Sequence, residues 1–282
     1  MPGDRQGPHV PRCRAVTGFI IVVMAGMYHR RLVALLAVVL LGCAPAILAQ
    51  ANDSITLRGK TLPLRLYGRR GSPPVIVSSG DGGWMHLGPH VAETLGRRGF
   101  FVVGVDVKAY LESFTSGSTT LRPEDEPRDY AALAAFAARG SAQKPILIGV
   151  SEGAGLSVLA ATDPSTKAAI AGVIGLGLPD LNELGWRWQD SMIYVTHGVP
   201  KEPTISVQAI VDRLSPVPLA LIHSTHDEFV PLADVQRIVD RAREPKRLWV
   251  IRAADHRFSD NLSEFDQRLL DAIAWVRSNA KE

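Results

Sequence analysis

From residue 54 onward, short apolar runs alternate with longer amphipathic stretches. Several of the runs are continuous aliphatic segments, such as PILIGV at residues 145–150, which is typical of strands buried on both faces of a parallel sheet. The pattern predicts strands at residues 55–57, 62–67, 74–78, 101–105, 145–150, 170–176, 218–223 and 247–251.

The amphipathic stretches between these runs predict helices, several of them closed by a glycine such as Gly99 or Gly140. Their ranges are 87–98, 129–139, 152–162, 232–243 and 262–278. An N-terminal hairpin followed by repeated strand–helix units predicts a single α/β domain over residues 51–282. We expect the α/β-hydrolase fold, with a mostly parallel eight-stranded sheet covered by helices on both faces. Two irregular segments, 108–128 and 179–214, follow strand ends, where open parallel sheets bind ligands.

The first fifty residues are predicted to be a leader. Arg30 and Arg31 precede an apolar run at 32–41 and then small residues around Ala49, which is the order of a secretory signal peptide. The apolar run is shorter than the ~20 residues of a spanning helix, although residues 32–48 together approach that length and leave a retained anchor as an alternative. A true start at Met27 or slightly upstream would explain the irregular segment before it.

Export to the periplasm or secretion from the cell is the localisation that this leader predicts. The string Leu40-Leu41-Gly42-Cys43 also resembles a bacterial lipoprotein box, so an anchor acylated at Cys43 is the alternative. A cytoplasmic hydrolase would require the leader to remain uncleaved.

The leader also accounts for the basic charge of the chain. It holds five basic residues and one acidic residue, so the formal net charge falls from +3 to about −1 without it. No dense basic stripe remains, and no nucleic-acid partner is expected. Cys13 and Cys43 both lie in the leader, so the domain has no disulfide and no thiolate metal site.

The sequence GVSEGAG places Ser151 directly after a predicted strand and at the start of a predicted helix. A G-x-S-x-G sequence in that setting is typical of a nucleophile elbow, which exposes the serine hydroxyl at the edge of the sheet. The alternative is an ordinary tight turn. The elbow predicts a positive φ at Ser151, and Gly149 and Gly153 would leave room for the turn.

A serine nucleophile requires a histidine base and an acid that orients it. Asp227 follows the strand at 218–223, and His256 follows the strand at 247–251, in the order serine, acid, histidine. We therefore predict Ser151, Asp227 and His256 as a catalytic triad. Among nearby residues, Glu228 is interpreted as a solvated helix-cap residue, and Asp255 is expected to point elsewhere.

The glycine-rich loop SSGDGGW is predicted to complete an oxyanion hole. The two donors would be the backbone N–H of Glu152 and that of Asp81 or Gly82. A simple turn is the alternative, and neither a dinucleotide fingerprint nor a P-loop lysine is present.

No metal or other cofactor is expected. His223 and His226 are three residues apart, a spacing that places them on opposite faces of a strand.

The strings SSGDGGW, RRGFFVVGVD and GVSEGAG resemble the bacterial virulence protein family typified by VirJ and the C-terminal domain of AcvB. The resemblance runs from about residue 74 to the C-terminus. It implies an exported α/β-hydrolase-fold domain, a serine hydrolase of the cell envelope. Some members are linked to hydrolysis of aminoacylated phosphatidylglycerol and others to type IV secretion. The family usually has an aromatic residue and an aspartate where this chain has Glu152 and Gly155.

These observations favour an exported serine hydrolase that cleaves a small-molecule or lipid ester, with an aminoacylated phospholipid as the candidate substrate and with contact to a membrane surface. The alternative is a non-catalytic envelope module that keeps the fold. An aminoacyl ester would need a carboxylate near the nucleophile, supplied by Glu152, Asp81 or Asp106, although we interpret Glu152 first as a cap of its own helix. An acyl pocket, a lid or a cover of the core is expected from the residues Trp186, Trp188, Met192 and Tyr194.

Export predicts that the mature protein begins near Asn52, or at an acylated Cys43. Mass spectrometry of the N-terminus of protein recovered from the periplasm checks this. An intact Met1 or Met27 on the mature protein would contradict export.

Overall fold

A twisted sheet of eight strands forms the centre of the computed structural model, which describes residues 51–188 and 202–281. The strands of the protein are β1 (Ala51–Leu57), β2 (Lys60–Tyr67), β3 (Pro74–Ser78), β4 (Phe101–Val105), β5 (Ile146–Val150), β6 (Gly172–Leu176), β7 (Leu181–Glu183), β8 (Thr204–Ser206), β9 (Leu219–Ser224) and β10 (Lys246–Ile251). The helices are α1 (Leu87–Arg97), α2 (Val107–Phe114), α3 (Glu126–Ala137), α4 (Glu152–Ala160), α5 (Pro164–Ala169), α6 (Leu232–Arg241) and α7 (Leu262–Asn279), with a short 3₁₀ helix at Val211–Leu214. The predicted leader lies outside the described residues.

The strand order of the large sheet is β1-β2-β4-β3-β5-β6-β9-β10. The β1–β2 and β2–β4 pairs are antiparallel, and the other neighbours are parallel. Because β3, β5, β6 and β9 run in one direction, their carboxyl ends lie at one edge of the sheet. This edge carries the predicted site.

The central strands are buried on both faces because their side chains alternate between two apolar layers. In β3, Ile76 packs into the layer that contains α3 and α4, whereas Val75 and Val77 pack into the layer that contains α1 and α7. The continuous aliphatic runs in the sequence therefore reflect a sheet sandwiched between helices, and the predicted mostly parallel eight-stranded sheet is confirmed.

Several short elements lie in segments predicted to be irregular. The helix α2 covers the first part of segment 108–128. Asp106 is its N-cap, because the Asp106 carboxylate accepts a hydrogen bond from the Ala109 N–H at 3.2 Å. The short antiparallel pair β7–β8 lies in segment 179–214, of which residues 189–201 are not described. These elements are too short for a helical or strand period to stand out in the sequence.

A buried polar network connects the N-terminal hairpin to the end of β3. The Arg58 guanidinium donates to the Asp129 carboxylate at 2.6 Å, and Tyr110 donates to the same carboxylate at 2.6 Å. From the adjacent position on α3, the Tyr130 hydroxyl lies 3.0 Å from Ser78 Oγ. The network therefore holds the carboxyl end of β3, where the glycine-rich loop begins.

Two glycines allow α4 to approach the sheet closely. A Cβ atom added at Gly153 would lie 2.3 Å from the Ser79 carbonyl oxygen and 2.6 Å from that of Ser78. One added at Gly149 would lie 2.3 Å from the Ala154 Cα. Backbone atoms cannot move aside as a flexible side chain can, so both positions require glycine. In the described part of the chain, no helix is both long and apolar enough to cross a membrane.

We predict that Gly153→Ala destabilises the protein by about 3 kcal/mol or more, because the methyl group would overlap backbone oxygens. Alanine favours helix over glycine by roughly 1 kcal/mol, so only the overlap can produce a loss. The larger substitution Gly153→Val is expected to abolish folding or activity. The measurement is denaturant unfolding.

Gly117→Ala is the matched control, since a Cβ atom there meets nothing within 4 Å and only the positive φ of 55° opposes it. We expect it to cost about 1 kcal/mol. Equal losses for Gly153→Ala and Gly117→Ala would contradict the close approach of α4 to β3.

Candidate active site

Ser151 occupies a strained turn between β5 and α4. Its φ is 50° and its ψ is −116°, so the positive φ predicted for the elbow is present. A non-glycine residue in this region is uncommon and is held there only by its surroundings. Its N–H donates to the Leu176 carbonyl at 2.8 Å, and its carbonyl accepts from the Ala154 N–H at 2.8 Å. Both bonds tie the turn to the end of β6 and the first turn of α4.

His256 and Asp227 form a direct hydrogen-bonded pair. The His256 Nδ1 atom lies 2.6 Å from Asp227 Oδ2, and the Asp227 side chain is fully buried. The other carboxylate oxygen accepts from the N–H groups of Val230 at 2.8 Å and Phe229 at 3.0 Å. Both oxygens are therefore occupied, and the acid is held in one orientation.

Burial alone would raise the pKa of Asp227 by disfavouring its charge. The hydrogen bond and charge of His256 outweigh that effect, together with the two backbone N–H donors, and lower the pKa below its usual value. The carboxylate is thus ionised at neutral pH. An ionised acid at Nδ1 is what a histidine base needs to keep Nε2 free for the nucleophile.

Two residues around this pair have roles that the sequence did not predict. The interpretation of Glu228 as a helix cap is wrong, because α6 begins at Leu232 with Pro231 as its N-cap. The Glu228 carboxylate instead accepts a hydrogen bond from the His256 N–H at 2.7 Å and holds the loop that carries the histidine. His223 is buried behind Asp227, with Nδ1 3.8 Å from Oδ2 and Nε2 3.0 Å from the Val230 carbonyl. Burial lowers the pKa of His223, which favours the neutral ring there.

The glycine-rich loop forms a tight turn beside Ser151. The Gly83 N–H donates to the Gly80 carbonyl at 3.1 Å, which leaves Asp81 and Gly82 at the tip of the turn. A Cβ atom added at Gly80 would lie 3.6 Å from the Ser151 Cβ, so the loop passes directly against the serine. Within residues 51–188 and 202–281, the N–H groups of Asp81, Gly82 and Glu152 donate to no acceptor.

The same loop is held in place by Ser79 and Trp84. The Ser79 hydroxyl donates to the Gly80 carbonyl at 3.0 Å and accepts from the Val107 N–H at 3.1 Å. The Trp84 ring covers Gly104 of β4, where an added Cβ atom would lie 2.3 Å from it. Because the indole fills the space above the strand, the loop cannot shift without unpacking it.

Ser151 and His256 line one cavity of about 640 Å³. A Cβ atom added at Gly177, the residue after β6, would lie 2.4 Å from His256 Cε1, so the imidazole lies against the end of β6. The last residue of that strand, Leu176, accepts the hydrogen bond from the Ser151 N–H. No hydrogen bond joins the Ser151 hydroxyl to His256 in the described ranges. Catalytic hydrogen bonds are often long in ligand-free proteins.

Asp81, Gly82 and Glu152 line the same cavity, as does Trp186. Trp188 is 71% exposed and is not part of the lining, and Met192 and Tyr194 lie outside the described residues. The expectation that Asp106 supplies a carboxylate to the site is wrong, because it caps α2 and pairs with Arg65 at 3.5 Å instead of lining the cavity.

The interpretation of Glu152 as a cap of its own helix is also wrong. Ser151 occupies the N-cap position without a side-chain hydrogen bond, and Glu152 Oε1 is buried with no hydrogen-bond partner in the described chain. Its carboxyl receives a backbone hydrogen bond from Glu183 of β7, not from the first turn of α4.

Burial raises the pKa of Glu152 well above its usual value, and the charges of Asp81 and Glu183 add to this. No group of three or more His, Cys, Asp or Glu side chains among the described residues is arranged to hold a metal ion.

The fold is shared with known hydrolases. An α/β hydrolase from Penicillium sp. sh18 is 16% identical with a TM-score of 0.60, covering 82% of this chain and 100% of its own. A bacterial membrane phospholipase A described as a virulence factor is 14% identical with a TM-score of 0.57, covering 92% and 96%. An esterase of Pyrococcus furiosus is 18% identical with a TM-score of 0.59, covering 80% and 91%. These likenesses establish the α/β-hydrolase fold.

No curated protein matches the sequence. A family model, described as bacterial virulence protein (VirJ), matches residues 74–275. The match begins at β3 and includes the glycine-rich loop, Ser151, Asp227 and His256. The chain therefore belongs to the VirJ family of bacterial virulence proteins.

Proposed function

We propose that this protein is an exported serine hydrolase that cleaves a carboxylic ester. The observation that carries the proposal is the strained elbow at Ser151, which opens into the same cavity as a histidine bonded at 2.6 Å to a buried aspartate. A non-catalytic module would gain nothing from backbone strain at this serine.

In the proposed reaction, Ser151 Oγ attacks the ester carbonyl carbon while His256 Nε2 takes the hydroxyl proton. Asp227 stabilises the resulting imidazolium through Nδ1. The carbonyl oxygen becomes an oxyanion, and it accepts hydrogen bonds from the N–H of Glu152 and that of Asp81 or Gly82, which have no acceptor within the described ranges. The alcohol leaves with the proton from His256. Water then attacks the acyl-enzyme by the same route and releases the acid.

The proposed substrate is an ester of a membrane lipid, and an aminoacylated phospholipid is the specific candidate. The lining of the cavity includes Met85, Leu181 and Phe229, each large, apolar and 42–52% exposed. Large apolar side chains that line one cavity and stay exposed to solvent favour contact with a lipid surface. The structural likeness to a membrane phospholipase A agrees with a lipid ester.

Hydrolysis is tested with p-nitrophenyl esters and aminoacyl phosphatidylglycerol, using the wild type and Ser151→Ala. Removal of the nucleophile should lower kcat by about 10⁶-fold while leaving the unfolding midpoint almost unchanged. A fluorophosphonate probe should label the wild type and not the variant. Hydrolysis by Ser151→Ala at the wild-type rate, or a wild type that neither reacts with the probe nor cleaves any ester, would contradict the proposal.

Asp227→Asn tests the orienting acid. The amide cannot stabilise the imidazolium and favours the wrong histidine tautomer, so kcat should fall on the order of 10³- to 10⁴-fold with the fold retained. Asp240→Asn, the same change on the exposed side of α6, is the control and should keep the wild-type rate. A loss below about tenfold for Asp227→Asn would assign the role to another acid, with Glu228→Gln as the next variant to measure.

A further inference from the structure

One oxygen of the Glu152 carboxyl, Oε1, is a buried acceptor without a partner in the described chain, and the residue follows the proposed nucleophile directly. The residue is 7% exposed and lines the cavity, and its Oε1 atom has no hydrogen-bond partner in the described chain. Buried polar atoms in folded proteins nearly always have a partner. An exception in the wall of a binding cavity therefore indicates a donor that arrives with a ligand.

The groups that act on this carboxyl are negative. Asp81 from the glycine-rich loop and Glu183 from β7 both add repulsion to the effect of burial, and the backbone hydrogen bond from Glu183 only partly offsets them. Neither basic side chain of the cavity is among the groups that shift the pKa of Glu152: Lys108 lies with its Nζ atom 4.0 Å from the Trp186 ring centroid, and Arg257 is exposed. The other titratable residues in the lining are His86, Glu228 and His256.

We propose that the Glu152 carboxyl binds a primary ammonium group on the acyl part of the substrate, next to the carbonyl carbon that Ser151 attacks. This inference rests on the proposed ester hydrolysis for the position of the acyl group. Glu152 follows Ser151 directly and lines the same cavity, so a substituent on the acyl α-carbon would share that cavity with its side chain. A primary ammonium has three N–H donors, one of which can donate to Oε1. Its positive charge would also balance the negative charge of the carboxyl groups of Glu152, Asp81 and Glu183.

The protonation of Glu152 changes when this group binds. In the free protein, burial and the two acidic neighbours raise the pKa of Glu152, so the carboxyl is neutral at low pH. A bound ammonium lowers that pKa, and the carboxyl releases its proton to solvent as the ion pair forms. Preference for a cationic over a neutral acyl group should therefore increase as the pH rises, until the ammonium itself loses its proton.

The test uses two esters of the same shape: the p-nitrophenyl ester of L-alanine and p-nitrophenyl isobutyrate, in which a methyl group replaces the ammonium. Their ratio of kcat/KM isolates the ammonium, since every effect of pH that is common to both esters cancels in it. We expect Glu152→Gln to lower this ratio by about 30-fold. Glu112→Gln, the same change on an exposed position of α2, should leave the ratio at its wild-type value. An unchanged ratio in Glu152→Gln would overturn the proposal.

The pH dependence of the ratio in the wild type needs no variant. Between about pH 5 and 7 the α-amino group stays largely charged, because its ordinary pKa is about 7.7–8.0. The ratio should rise across this range, and Glu152→Gln should remove the rise. A ratio in the wild type that is flat or falls with pH would overturn the proposal even if the variant failed to fold.

Direct binding separates this proposal from the proposed function. L-Alaninamide and isobutyramide are titrated calorimetrically into the Ser151→Ala protein, with and without Glu152→Gln. Binding of L-alaninamide alone, lost in the double variant, supports the ammonium site even if no ester is cleaved. Ester hydrolysis without preference for either amide would retain the hydrolase and reject the ammonium site.

Discussion

The close contact between the start of α4 and the end of β3 is the constraint on which the site depends. Gly153 lies so near the Ser78 and Ser79 carbonyls that a Cβ atom would approach them to 2.6 and 2.3 Å. This contact brings the turn at Ser151 against the loop that starts at Ser79, with 3.6 Å between Ser151 Cβ and the Cβ position of Gly80. Ser151, the N–H of Glu152 and the N–H groups of the glycine-rich loop thus lie at one edge of the sheet because of a packing requirement.

The histidine and its acid depend on a second support, from the other side of the cavity. Asp227 is bound by two backbone N–H groups of its own loop, and Glu228 of the same loop accepts from the His256 N–H, so the loop after β9 holds both the acid and the histidine. The buried Asp227 carboxylate would be costly without these donors. The hydrogen bond and charge of His256, together with these donors, outweigh burial and lower the pKa of Asp227, so the site presents a fixed negative charge to the imidazole.

The sequence predicted the parts of the structure that follow from strong local patterns. Continuous aliphatic runs such as β5 and glycines such as Gly153 limit the backbone directly, so the sheet and the turn at Ser151 could be inferred. The roles of Asp106, Glu152 and Glu228 could not, because a carboxylate before or at the start of a helix has the same local signature whether it caps the helix or bonds elsewhere. Their partners, Arg65, Glu183 and His256, are 28 to 41 residues away in sequence. The contact between His223 and Asp227 could not be inferred either, because it depends on the conformation of the loop after β9.

The N–H and the carboxyl of Glu152 have opposite electrostatic effects on a bound ester, and this limits which substrates the cavity can bind. The N–H of Glu152 is a donor of the proposed oxyanion hole, whereas its carboxyl, if ionised, would oppose the negative charge that develops there. Burial and the charges of Asp81 and Glu183 raise the pKa of Glu152, which disfavours the ionised form in the free protein and so weakens this opposition. A cationic acyl group that ionises Glu152 also brings the charge that balances it, so the oxyanion forms beside an ion pair whose net charge is zero. The same residue can therefore favour an ammonium-bearing ester without weakening the stabilisation of its transition state.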